Sequence, residues 1–113
     1  MLTIDKLRNW GANVDEGLSR CMGMEEFYLK LVGMAINDDQ LSALEKALAG
    51  KDLEAAFEVC HALKGMYGNL SLSPVYDPLC EMTELLRAKK DVDYSVLLAS
   101  IKAAKAGLDE LAK

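Results

Sequence analysis

The sequence is short of the residues on which most catalytic chemistry is built. It has one histidine, His61, and three cysteines, Cys21, Cys60 and Cys80, with no CxxC spacing. An odd number of cysteines does not make a disulfide framework, and buried, reduced, inert thiols are the simpler reading. Cys60 adjoins His61, but neighbouring helical residues point about 100° apart, so the two do not share a face. A zinc site needs more ligands than these, so no metal is expected. Positive charge is also scarce. The net charge is −5, and phosphate backbones are bound by clustered Lys and Arg, so no nucleic-acid partner is expected. The short run "RAKK" at 87–90 suits a helix C-terminus, where cations complement the macrodipole. No apolar run approaches the ~18 residues of a membrane span. The start, "MLTIDKLRNWGANVDEG", lacks the basic and apolar regions of a secretory signal, which points to a cytoplasmic protein. There is no P-loop, no kinase glycine-rich loop and no magnesium-binding constellation, so the chain has no ATP site of its own.

Strand signals are nearly absent, because apolar alternation is missing and β-branched residues are sparse. Helix signals run throughout. The 113 residues are 51% hydrophobic, enough for the core of a single domain spanning 1–113. Thr3 and Asn13 start two short helices, the first closed by Gly11. "MEEFYLKLVGMAI" carries Met24, Phe27, Tyr28, Leu31, Met34 and Ala35 at helical spacing and is expected to bury them. "DDQLSALEKALAG" follows, with Leu41, Leu44 and Leu48 inward and Gly50 as its left-handed stop. Asp52 opens the helix that contains His61. Ser73 is expected to cap the next, with Pro74 at its first position and Val75, Leu79, Met82 and Leu86 inward. Asp77-Pro78 offers that helix a later start or an early bend. The last helix, from about Asp93, has Leu97, Ile101, Ala104, Leu108 and Leu111 on one stripe. Short connections make successive helices antiparallel. The expected fold is all-α: an up-and-down antiparallel four-helix bundle, core about 24–112, with short N-terminal helical additions. With no obvious second apolar face, a monomer is expected.

Within "EVCHALKGMYGNL" (58–70), winding at 100° per residue puts Phe57, Glu58, Lys64, Gly65, Gly68 and Leu72 on the side of His61. Ala56, Val59, Leu63, Met66, Tyr67 and Leu70 gather on the opposite, core-facing side. His61 therefore points away from the core. Each mid-helix glycine costs about 1 kcal/mol relative to alanine. Two glycines beside the imidazole clear a shallow surface on which a partner's backbone can approach. Lys64, three residues on, disfavours a second positive charge beside it and can pair with an anion brought to the ring. One nucleophilic imidazole, one ammonium and small neighbours suit a covalent phosphoryl carrier rather than a complete active site.

"HALKG" at 61–65, with the helix "SLSPVYDPLCEMTELL" after it and "GKDLEAAFEVC" before it, resembles the histidine phosphotransfer (HPt) domain of bacterial phosphorelays. The resemblance covers roughly residues 13–112 by the helix pattern. It implies that His61 accepts a phosphoryl group, that Lys64 supports the transfer electrostatically, and that Gly65 admits the partner. The implied partner is the receiver domain of a response regulator or hybrid sensor kinase, which exchanges phosphoryl from its aspartate and brings the metal-bound apparatus. No cofactor on this chain is implied. Phe57 and Leu72 are expected in the apolar part of the docking surface, with Met24 a third candidate and Glu58 and Gly68 beside them. Ser71 stands where the family usually has glycine, and Pro78 interrupts the following helix. Two other classes remain open on the residues alone. One is a helical adaptor with an incidental histidine; the other is a small enzyme using Cys60 or the carboxylates, although no paired acid and base share a face.

Overall fold

Side-chain caps start three of the seven helices of the computed structural model, which describes residues 1–113. Thr3 accepts a hydrogen bond from the Lys6 amide and opens α1 (Ile4–Trp10), which closes at Gly11 with φ +121°. Asn13 caps α2 (Val14–Arg20) through the Glu16 amide. Next come α3 (Glu25–Ile36) and α4 (Gln40–Ala49). Asp52 caps α5 (Leu53–Asn69) through the Ala55 amide. Then come α6 (Ser73–Arg87) and α7 (Ser95–Leu111). There are no strands. The protein is an all-helical bundle, and no helix is long and apolar enough to cross a membrane.

The bundle is built from α4 to α7. Helix α5 packs between α4 and α6, and α6 packs on α7. Three-residue connections, 50–52 and 70–72, leave α5 no route but antiparallel to its neighbours. Lys102 of α7 reaches Glu45 of α4, and the Lys105 ammonium donates to the Ile36 carbonyl at the end of α3. Helix α1 lies against α7, while α2 and α3 pack together beside the turn between α5 and α6. One cluster of 21 buried residues extends from Leu7 to Leu108 and holds the fold together.

Several local expectations are corrected. Helix α3 buries Tyr28, Val32 and Ala35, whereas Met24, Phe27 and Met34 are exposed. The core register is set by Tyr28. Its ring lies against Gly17, where a Cβ would come within 2.6 Å of Cε1, and its hydroxyl donates to the Leu70 carbonyl at 2.7 Å. Met24, Phe27 and Met34 therefore form an outward apolar stripe, a second apolar face that the sequence did not make obvious.

Gly50 keeps φ −83°, and it is Lys51, at φ +55°, that takes the left-handed position after α4. The Asp52 amide then bonds back to the Ala47 carbonyl at 2.9 Å, which satisfies an orphan acceptor and places Asp52 to cap α5. Ser73 is the first residue of α6 rather than its cap. Leu72 holds the cap position without a side-chain hydrogen bond, and Pro74 is the second helical residue. The helix does not begin late, because it runs through Pro78.

Candidate functional site

On α5 the two expected faces separate as the winding requires. Ala56, Leu63, Tyr67 and Leu70 are buried, Val59 and Met66 are partly buried, and His61 and Gly65 are exposed. Cys60 turns inward to α6, with its sulfur 3.2 Å from the Thr83 hydroxyl. Burial pushes the Cys60 thiol up from its ordinary range, which keeps it protonated and unreactive. The imidazole and the neighbouring thiol point into different surroundings and form no catalytic pair.

His61 opens onto a polar groove of about 390 Å³. Lys64, Gly65 and Gly68 line it from α5, with Arg20 of α2, Ser71 of the following turn and Tyr76 of α6 across from them. Lys64 forms no ion pair with any carboxylate of the protein, in contrast to Arg20, which bonds to Glu16, Gly68 and Ser71. No group of three or more metal-ligating side chains comes together anywhere in the fold.

The two glycines have different surroundings. A Cβ built at Gly65 meets nothing within 4 Å, so the fold does not require a glycine there. At Gly68 a Cβ would lie 2.7 Å from Tyr76 Cε1. Gly68 is small because the Tyr76 ring packs on it, and its carbonyl accepts from the Arg20 guanidinium. That packing accounts for its size, and Gly68 still lines the groove with His61. Leu72 is removed from the expected partner surface, because it is fully buried. Helix α5 ends at Asn69, so the helical winding that put Leu72 beside His61 no longer applies to it.

The remaining expected docking residues divide. Glu58 is exposed on α5 but does not line the groove. Phe57 is half-buried on the other side of His61, with its ring centroid 5.7 Å from the imidazole and tilted 32° to it. Its ring is also covered by the Arg87 guanidinium, 5.4 Å from the centroid.

Sequence reasoning missed the far wall of the groove. Ser71 has φ +56°, the left-handed conformation that a glycine adopts without strain. Its hydroxyl donates to Glu16 Oε1 and accepts from Arg20 Nη1, both at 3.2 Å, and its carbonyl accepts from the Asn13 amide at 2.9 Å. Arg20 Nη2 also meets Glu16 Oε1 at 2.7 Å. These bonds hold a serine in a backbone conformation that otherwise costs it about 1 kcal/mol or more. The i,i+4 spacing of Glu16 and Arg20 was a readable signal for their pairing. Nothing local announced that the pair would clamp a turn some 50 residues away.

The family model of the Hpt domain matches residues 35–113. This chain belongs to the Hpt domain family. The matched stretch contains α4 to α7, hence the whole bundle and His61, while the clamp residues Asn13, Glu16 and Arg20 precede it. No curated protein and no solved structure matches the chain significantly. Hpt domains perform histidine phosphotransfer in phosphorelay signalling. They interact with receiver domains and act as phosphocarriers without a catalytic site of their own.

Proposed function

We propose that His61 is the phosphoryl carrier of this Hpt domain, loaded from the phosphoaspartate of one receiver domain and discharged to the aspartate of another. The observation that carries the reading is the single histidine of the chain, exposed on α5 and sharing a groove with Lys64, which no carboxylate neutralises, and with Gly65, which no contact requires. An imidazole nitrogen attacks the phosphorus of the aspartyl phosphate. The P–N bond forms as the P–O bond breaks, and the aspartate carboxylate leaves with the electron pair. The other ring nitrogen releases its proton to solvent, which leaves the ring uncharged and the phosphoryl group anionic. Lys64 pairs with the phosphoryl oxygens as they arrive and gives the anion a fixed counter-charge. Gly65 leaves room for the receiver's loops, and Phe57 and Glu58 border the contact. The chain needs neither metal nor ATP for this role and works in the cytoplasm beside a response regulator or hybrid sensor kinase.

The test is incubation with receiver domains charged from acetyl phosphate. Wild-type protein should take up an acid-labile, base-stable label, as a phosphoramidate does, and His61→Gln should take up none. Labelling retained in His61→Gln would overturn the assignment.

A further inference from the structure

His61 is exposed, and an exposed imidazole on a helix keeps two χ1 wells, because the third clashes with the preceding turn, and two broad χ2 orientations. A nucleophile that must meet phosphorus in line benefits from occupying one of them beforehand. No hydrogen bond of the protein holds either ring nitrogen, so the orientation rests on packing. Helical side chains lean toward the helix N-terminus, which brings the imidazole over the turn that carries Phe57. The Phe57 ring is the aromatic neighbour it finds there, at 5.7 Å between centroids.

Phe57 is itself only half-buried and would be free to move on its outer side. Arg87, in the last turn of α6, lies over its ring at 5.4 Å, a favourable arrangement of cation and π-face. Arg87 is oriented in turn by Glu84, whose carboxylate is 3.5 Å from Nε. The order Glu84, Arg87, Phe57, His61 therefore runs from the end of one bundle helix to the exposed ring of the next.

We infer that Arg87 is a positioning residue for phosphotransfer: by stacking on Phe57 it holds that ring against His61 and restricts the imidazole to the orientation that meets the incoming phosphorus. This rests on His61 being the phosphoryl carrier, and it gives Phe57 a role in orienting the ring as well as in docking. Because two sites on two helices are involved, the effect of each depends on the other. Losing Phe57 makes Arg87 irrelevant to the ring, whereas losing Arg87 only loosens Phe57.

The test compares Arg87→Gln, Arg87→Lys, Phe57→Leu and the double variant Arg87→Gln/Phe57→Leu, each first shown to keep wild-type helicity. The His61 Cε1–H and Cδ2–H resonances report the ring's position relative to Phe57 in the free protein. Phosphotransfer from a receiver charged with acetyl phosphate is measured up to saturating receiver. Arg87→Gln should move both resonances and lower the saturated rate about threefold, with the half-saturating receiver concentration unchanged. Phe57→Leu should lower the rate up to about fourfold, the number of orientations released. The double variant should be no slower than Phe57→Leu, and Arg87→Lys should restore most of the loss. Unmoved His61 resonances in Arg87→Gln would overturn the inference, as would an effect confined to the half-saturating concentration, which marks a docking residue. A wild-type protein that takes no label rejects the carrier reading instead. The resonances still report whether Arg87 positions the ring.

Discussion

Gly65 and Gly68 lie one turn apart on the same helix and are small for different reasons. Around Gly65 the surface is open, and nothing in the protein occupies the space a side chain would take. Around Gly68 the space is full: the Tyr76 ring packs on it, and Arg20, Glu16 and Ser71 fasten the adjoining turn. The filled end continues to Tyr28, whose ring occupies the space that Gly17 leaves and whose hydroxyl bonds to the same turn. One end of the groove is thus built for internal packing, and the other is left free beside the imidazole. An identical residue in neighbouring turns marks filled space in one place and open surface in the other.

Substitution at the filled end should have the largest effect. Gly17→Ala drives a methyl to within 2.6–2.8 Å of a fully buried tyrosine ring that cannot swing into solvent. A loss of about 2–3 kcal/mol is expected from overpacking of this kind, after the helix-propensity gain of alanine is included. Urea unfolding checks it, and a stability equal to wild type would show that the ring is free to move.

Alkaline pH should strain the same end. Burial, and after it the nearby Cys21 thiol, pushes the Tyr28 phenol up to about 12. The unfolded phenol titrates near 10. The folded state therefore keeps a proton that the unfolded state loses. The contribution is fully present below pH 10 and is lost as pH rises from 10 through 12. Tyr28→Phe should be less stable at neutral pH, because the Leu70 carbonyl loses its donor, by about 1–3 kcal/mol. Its stability should then fall less steeply than wild type between pH 10 and 12. Parallel curves for the two proteins, followed by circular dichroism, would remove Tyr28 as the group responsible.

The open end should respond in function rather than in folding. Gly65→Gln keeps the helix, since glutamine is a good helix former, and projects a side chain beside His61. The phosphotransfer rate should fall at least about tenfold, roughly 1.4 kcal/mol in barrier, with no loss in melting temperature. A stable Gly65→Gln protein with wild-type transfer would end the docking account of this glycine. The smallest effect sharpens the comparison most, because alanine should give opposite signs at the two positions. Gly65→Ala gains a few tenths to about 1 kcal/mol from helix propensity, and Gly68→Ala loses about 1 kcal/mol as Tyr76 is displaced. Two chemically identical changes that shift the unfolding midpoint in the same direction would show that the two turns are alike after all.

Much of this contrast was hidden from pattern reading. Helical winding placed both glycines on the side of His61, and it was right about the side. It carried no information about Tyr76, which approaches Gly68 from the next helix. The same limitation explains α3, where Met24, Phe27 and Met34 are as periodic as the residues that become buried. Two apolar stripes lay about 100° apart on one helix, and only the fit of Tyr28 against Gly17 and Leu70 selected between them. Leu72 lies beyond Asn69, where the helix stops, so helical winding does not describe its direction.

The helices, their order and the exposed imidazole are legible along the chain, because capping residues, apolar periodicity and connectivity act over a few residues. Thr3, Asn13 and Asp52 start their helices through their own side chains. Val75, Leu79, Met82 and Leu86 are all buried as their spacing demands. Packing between helices selects which stripe of α3 is core, lets Ser71 adopt a glycine's conformation, and leaves one glycine beside His61 free. Each of those depends on a side chain arriving from another helix, and close packing between distant parts of the chain leaves no periodic trace in either part alone.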